Sequence, residues 1–295
     1  MSSLIIALTT MRKVVILGGT GQLARSIVSV SQGAREEYIA LSRAEADLCD
    51  AESLHRAVAM ADVVVNCAAY TNVEGAEDDY DTAYAINCRG VEVLAKLCNE
   101  HNKKLIHIST DYVFGGDAER RIPYAESDVV SPINAYGRSK AEGERVALEN
   151  GGVVIRTSWL YSPWCKNFCR TIFSLSATQS ELRVVDDQHG VPTSALSLAR
   201  FIVRIIEEGI VEQMQGIYHF TDAGEATWYD FAREIVALSA YDCKVLPCKS
   251  SERVMRAQRP SYSLLGAERL KEIGVERRPW REALSEVVEI IKQEL

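Results

Sequence analysis

Short, almost unbroken apolar runs alternate with amphipathic stretches through the first half of the chain. Val14–Leu17, Tyr38–Leu41, Val63–Cys67, Leu105–Ile108 and Val153–Arg156 read as strands. Apolar throughout rather than at every second position, they suit parallel strands buried on both faces. Helical patterns lie between them. One runs from the glycine cluster at 18–21 to about Ser31, and one follows Asp50 (its expected N-cap) to about Met60. A longer one spans roughly Tyr80 to Glu100, interrupted near Asn87, and another covers 134–149. This regular alternation to residue 158 predicts an α/β fold with a doubly wound parallel sheet.

Beyond residue 158 the pattern loosens. Asn167–Thr178, Ser194–Glu208, Thr227–Ala240 and Trp280–Glu294 read as helices, with strands at Leu182–Val185 and Ile217–Phe220. A turn-rich polar loop fills Asp186–Thr193, and a basic, proline-bearing stretch runs from Arg253 to Pro260. No repeat or long linker divides the chain. The expected organisation is an N-terminal extension at 1–10, a sheet domain at 11–158 with return segments near 194–220, and a smaller interleaved lobe over 159–295.

Composition narrows the classes without choosing one. A chain of 295 residues that is 47% hydrophobic and 25% charged suits a folded protein with a sizeable core. Its formal net charge of -8 argues against general binding of nucleic acid or anionic membranes. The apolar runs fall far short of a membrane span. The opening MSSLIIALTT lacks the basic start of a signal peptide, and Met11 before Arg12-Lys13-Val14-Val15 looks like a cytoplasmic start. The 8 cysteines are scattered, with no Cys-x-x-Cys or zinc-like spacing, and read as free thiols in a reducing cytoplasm.

The strand ends carry the candidate chemistry. Gly18, Thr20, Gly21, Gln22 and Leu23 form a glycine turn between a strand and a helix. Gly18 permits the tight turn, Gly21 lets backbone approach a pyrophosphate, and small Ala24 lets the helix pack on the strand. The helix N-terminus offers unpaired N–H groups to the anion. The second strand ends at Ser42-Arg43 with no carboxylate to hold a ribose 2′-hydroxyl. Arg43 instead suits a 2′-phosphate, so NADPH is expected, with NADH left open. Asp47 and Leu48 follow at the adenine edge. Cys67, Ala68, Ala69 and Tyr70 end the third strand, where small side chains let a flat ligand pass. Ser109, Thr110, Asp111 and Tyr112 mass polar groups at the end of the fourth.

Tyr136 and Lys140 stand four residues apart in the helix that follows, on one face, with Ser131 and Pro132 as the expected N-cap and first helical residue. An ammonium beside a phenol favours the phenolate, so a lowered tyrosine pKa is expected. Reduction of a carbonyl builds negative charge on oxygen, and a phenol with a second hydroxyl within reach would meet it.

Glycine turn, Ser109-Thr110, Tyr136 and Lys140 together resemble the extended short-chain dehydrogenase/reductases, which have a Rossmann NAD(P)-binding domain. The sequence is similar in particular to the dTDP-4-dehydrorhamnose reductases, from Met11 nearly to the end. The matching stretches are Gly21-Gln22-Leu23, Val65–Thr71, Ser109–Phe114, Tyr136–Lys140, Arg156–Trp159, Lys166-Asn167-Phe168 and Val184–Thr193. The resemblance implies reduction of the 4-keto group of a nucleotide-linked 6-deoxy sugar. Thr110 would orient the carbonyl, Tyr136 would give the proton, and Lys140 would tune Tyr136 and hold the nicotinamide ribose. Asn87 and Ser109 would join the cofactor set. Asp111, Tyr112, Trp159, Asn167, Gln188 and Thr193 would line the substrate pocket, with Arg259 at the nucleotide end.

Three positions depart from the family pattern. Gly75 stands where members often carry lysine, Ser162-Pro163-Trp164-Cys165 replaces a glycine-containing segment, and Arg25-Ser26 replaces a glutamate that binds magnesium at a dimer contact in some members. No metal is therefore expected, and a homodimer stays open. Two other readings also stay open: a sugar-nucleotide epimerase or dehydratase on the same scaffold, and a non-catalytic regulatory subunit of the methionine adenosyltransferase type.

Overall fold

The computed structural model describes residues 11–294; the expected extension at 1–10 lies outside that range. The elements follow in order: β1 (Lys13–Leu17), α1 (Gln22–Val30), β2 (Glu37–Leu41), α2 (Ala51–Met60), β3 (Val63–Asn66), α3 (Val73–Asp78), α4 (Tyr80–Tyr84), a π-helical turn (Ala85–Arg89), α5 (Gly90–Glu100), β4 (Lys104–Thr110), α6 (Ala135–Glu149) and β5 (Val153–Thr157). Then come β6 (Leu160–Tyr161), α7 (Phe168–Ser176), β7 (Glu181–Val185), β8 (His189–Gly190), β9 (Thr193–Ser194), α8 (Ala195–Glu207), β10 (Gly216–His219), β11 (Ala226–Thr227), α9 (Trp228–Ser239), β12 (Lys244–Cys248), α10 (Glu268–Glu272) and α11 (Trp280–Gln293).

Six strands form one sheet in the order β10-β5-β4-β3-β1-β2, every pairing parallel. The doubly wound fold is therefore present. Alternate residues of β1 feed opposite layers. Val14 and Ile16 pack with α1 and α8 on one face. Val15 and Leu17 pack with α2 and α5 on the other. The chain runs from β1 outward to β2 and then back across to β3. The crevice at their carboxyl ends is where such sheets bind ligands.

A further core surrounds Phe231 and Trp280, both fully enclosed, and takes its side chains from α7, α9, α11 and β7. Small two-stranded pairings, β12 with β7, β11 with β8 and β6 with β9, hold the intervening loops. Patterning passes over β12 because Pro247 interrupts it. The strand tolerates proline because it pairs along one edge only, with β7.

The start of α6 departs from the sequence reading. Asn134, not Ser131, is the N-cap, its side chain accepting from the Gly137 N–H at 2.7 Å. Ser131 and Pro132 are spent on the segment before it. Pro132 bridges Gly115, and the Ser131 carbonyl accepts from the Gly116 N–H. Among the described residues no helix is long and apolar enough to cross a membrane.

Candidate active site

One cavity of about 570 Å³ opens at the carboxyl ends of β1, β3, β4 and β5. Its wall includes Gly21, Gln22 and Leu23, then Cys67 and Ala69, then Ser109, Thr110, Asp111 and Tyr112, together with Tyr136, Lys140, Trp159 and Asn167. The glycine turn, the small-residue end of β3, the polar end of β4 and the tyrosine–lysine helix thus meet in one space.

The electrostatics of the tyrosine differ from expectation. Burial pushes the Tyr136 phenol upward, the Asp111 carboxyl adds to this, and only the Thr110 hydroxyl pulls the other way. Lys140 is not placed to lower it. Its Nζ donates to the Ile108 carbonyl at 2.7 Å and lies 3.3 Å from His107 Nε2. Burial also brings the ammonium down to about 8, against a supporting charge on Glu144. Sharing a helix face does not bring two side chains together when one has a better acceptor beneath it. Tyr136 is accordingly a neutral phenol at neutral pH.

Thr110 is the last residue of β4, and its Oγ1 accepts from the Tyr112 N–H at 3.2 Å while lying 3.1 Å from Asp111 Oδ1. Asp111 is almost wholly enclosed. Its Oδ2 accepts from Ser263 Oγ at 2.6 Å, and burial pushes its carboxyl up to about 7. The Tyr112 ring meets the Tyr136 ring edge to face at 5.9 Å.

The cofactor side passes a test of fit. Gly18 has φ +77, and a Cβ there would come within 2.9 Å of Ala68 Cα; on Gly19 it would meet the Leu41 carbonyl carbon at 2.9 Å. Gly21 N-caps α1 with no side-chain bond, so no side chain competes for the N–H groups of the first turn. The buried hydroxyls of Ser109 and Thr157, both on the cavity wall, have no partner among the described residues. A glycine cradle with free donors and orphaned hydroxyls beyond it fits a dinucleotide.

Other expected cofactor residues act at one remove. Asn87 sits in the π-helical turn and grips Tyr70 by its backbone, accepting from its N–H at 2.8 Å and donating to its carbonyl at 3.1 Å. Arg43 is exposed and donates from Nε to Asp47 at 2.9 Å, while Asp47 also accepts from the Cys49 N–H. The Leu48 carbonyl lies against Gly90. Thr20 offers its carbonyl to the Cys165 thiol.

On the substrate side Trp159 stacks on Trp228 with ring centroids 3.8 Å apart, and both border the cavity. Trp159 holds φ +47, a conformation that needs support from its surroundings. Gly190 supplies part of it: a Cβ there would fall 2.5 Å from the Trp159 ring. Thr193 supplies more, donating its N–H to the Trp159 carbonyl. The 186–193 loop therefore seats the tryptophan. Thr193 and Gln188 do not line the cavity; Gln188 is buried and donates to Ser250 Oγ at 2.8 Å. Asn167 does line it, and caps α7. Arg259 lies just outside the wall. It is paired with Glu74 at 2.7 Å, its guanidinium sits 5.8 Å from the centre of the Tyr112 ring, and its Nη1 is buried with no partner among the described residues.

Sequence reasoning missed Trp228, Ser263, Thr157, Thr71 and Val73. Thr157 and Thr71 carried a signal, since each lies at or just past the carboxyl end of a sheet strand, where such folds bind ligands. Trp228 and Ser263 carried none, because they arrive from distant segments.

A family model described as the RmlD substrate binding domain matches residues 11–293. The chain is 38% identical to the dTDP-4-keto-6-deoxy-D-glucose reductase of Streptomyces niveus, covering 94% of this chain and 96% of that protein. It is 38% identical to the dTDP-4-dehydrorhamnose reductase of Mycolicibacterium smegmatis, covering 94% and 85%. Among solved structures, a dTDP-4-dehydrorhamnose reductase from Clostridium acetobutylicum matches with TM-score 0.89 at 37% identity, covering 95% of this chain and 99% of the other. One from Bacillus anthracis, in complex with NADP, matches with TM-score 0.86 at 32% identity, covering 94% and 98%. The chain belongs to the dTDP-4-dehydrorhamnose reductase family of extended short-chain dehydrogenase/reductases.

Proposed function

We propose that the protein is an NADPH-dependent reductase of the 4-keto group of a nucleotide-linked 6-deoxy sugar, with dTDP-4-dehydrorhamnose as its substrate. The carrying observation is the convergence of Thr110, Tyr136 and Lys140 on a cavity with the glycine turn at one wall and the Trp159–Trp228 stack at another. The Gly18–Leu23 turn and Lys140 would hold the nicotinamide cofactor, which would supply the hydride for the keto carbon. Tyr136, neutral through burial, gives its proton to the oxygen as charge builds there, with the Thr110 hydroxyl as second donor. Solvent then returns the proton to Tyr136. The paired indoles offer a flat apolar face to the sugar. Arg259 Nη1 stands ready at the nucleotide end for a diphosphate oxygen.

Relatives of equal identity are named for two different 4-keto sugars, which supports the reaction class more firmly than the sugar. A screen of dTDP-4-keto sugars for NADPH oxidation tests both. Turnover fastest with dTDP-4-dehydrorhamnose is expected, and Tyr136→Phe should lower kcat by about 10²–10⁴ with little change in NADPH affinity. Oxidation with none of the sugars, or full turnover in the phenylalanine variant, would sink the reading. We also place the protein in the cytoplasm, a reading supported by its eight unpaired cysteines.

A further inference from the structure

The Thr110 hydroxyl has one hydrogen, and its neighbours decide where that hydrogen points. Its oxygen already accepts from the Tyr112 N–H. Its other close partners within the protein are Asp111 Oδ1 and the Tyr136 phenol. The other carboxyl oxygen accepts from Ser263 Oγ, and Ser263 has no other hydrogen-bond acceptor among the described residues. A single hydrogen must therefore lie between Thr110 and Asp111. If the carboxyl is ionised, that hydrogen is the threonine's own, and Thr110 has none left for a substrate oxygen. If the carboxyl is protonated, Asp111 supplies it, and the hydroxyl hydrogen of Thr110 is free to point into the cavity.

We propose that Asp111, seated by Ser263, works as a neutral carboxylic acid that donates to Thr110 and so turns the Thr110 hydroxyl toward the substrate oxygen. Asp111 and Ser263 are positioning residues in this scheme, acting through Thr110, and the scheme rests on the ketoreductase reading above. The surroundings suit a neutral acid. No cation is paired with the carboxyl: Lys140 is held by the Ile108 carbonyl and Arg259 by Glu74. The titratable groups facing it are the Tyr112 and Tyr136 phenols, both themselves kept neutral. His189, whose carbonyl holds the Ser263 N–H, turns its ring to Glu225. Burial pushes the Asp111 carboxyl up to about 7, so its neutral form is substantially populated in the neutral range.

Ser263 links this device to the C-terminal lobe, 152 positions away in sequence. Its bond favours the carboxylate, so it also sets the pH at which the device fails.

Infrared difference spectra of the free protein across pH test the protonation directly. A carboxylic-acid band should titrate with a midpoint near 7, be missing in Asp111→Asn, and move to higher pH in Ser263→Ala. No band assignable to Asp111, or one with a midpoint near the ordinary carboxylate value of about 4, would overturn the proposal. Kinetics test its consequence. Wild-type kcat should fall roughly tenfold per pH unit above the Asp111 midpoint. In Asp111→Asn the amide donates permanently to Thr110, so this limb should vanish and leave only the later fall as Lys140 titrates at about 8. Asp111→Leu, without a donor, should lose kcat at every pH while KM stays close. A pH profile in Asp111→Asn that superposes on the wild type would also overturn it. Wild-type protein inactive on every 4-keto sugar would instead sink the ketoreductase reading, and the infrared titration would still decide whether Asp111 is the neutral acid.

Discussion

We propose that cofactor choice turns on Arg43. Its Nε is committed to Asp47, which leaves the two Nη groups facing outward in the fork geometry that suits a phosphate. The Cys49 N–H on the other carboxylate oxygen keeps Asp47 ionised, so the pair holds the guanidinium in place. Arg43→Ala should weaken NADPH about tenfold while NADH stays within a factor of two, as read by fluorescence titration with each cofactor. Equal loss for both would show that Arg43 supports the loop and does not touch the 2′-phosphate. Gly75 is the opposite case, a residue whose charge is missing. A Cβ there would come within 2.6 Å of the Tyr70 hydroxyl and 2.5 Å of the Asn72 side chain. A larger residue therefore requires the Tyr70 hydroxyl and the Asn72 amide to shift.

At the scale of elements, α6 carries Tyr136 and Lys140, and its position is fixed from three sides. A Cβ on Gly137 would fall 2.1 Å from the Tyr112 carbonyl, and one on Gly143 would fall 2.1 Å from the Asn87 carbonyl. Glu144 binds Arg156 of β5 through both carboxylate oxygens, at 2.8 and 2.7 Å, with both side chains buried. On propensity alone, Gly143→Ala should stabilise a helix by about 1 kcal/mol. The backbone contact reverses the sign, since Asn87 cannot yield without releasing Tyr70 and the cofactor loop. A net loss of about 1–3 kcal/mol in urea unfolding is expected, with a lower kcat. A more stable, fully active variant would show that the contact is soft. The helix itself was legible in the sequence, as were the sheet strands, because apolar periodicity is local. Its N-cap was not: Asn134 and Ser131 are both good caps, and what separates them is the bridge from Pro132 to Gly115. The site divides the same way. Tyr136, Thr110 and the glycine turn sit beside their own strands and could be read from the chain. Trp228 reaches the cavity, and Ser263 reaches Asp111 behind it, only through packing of distant segments, and Gln188 and Thr193 turn out to support Trp159 and its loop from behind.

Over the whole molecule, buried titratable groups of opposite type offset one another, and this governs how the fold responds to acid. His107 and His219 are enclosed and neutral. Burial and a neighbouring cation, Lys140 and Arg156 respectively, hold both well down, His219 to about 3. A depressed histidine gives stability that is present above its unfolded value of about 6.5 and is lost as pH falls, at about 1.4 kcal/mol per pH unit each. Asp111 and Asp222 are shifted upward by burial, to about 7 and about 6. A raised carboxyl has the reverse sign, so each gains about 1.4 kcal/mol per unit as pH falls from its folded value toward about 4. Between about pH 6 and 4.5 the two pairs nearly cancel. Wild-type stability should therefore change by less than about 1 kcal/mol over that window. Asp222→Asn breaks the balance. The amide oxygen can still accept from the Ser194 N–H, as Oδ2 does now at 2.8 Å, but it no longer takes up a proton. One histidine is then unopposed, and the variant should lose about 2 kcal/mol over the same 1.5 units. Carboxylates held low by ion pairs, such as Glu286 with Arg200 and Arg278, act mainly below this window and act equally in both proteins. Urea unfolding at pH 6, 5.3 and 4.5 reads the two slopes directly. Parallel slopes would mean that Asp222 ionises normally in the fold and that its burial is relieved by water.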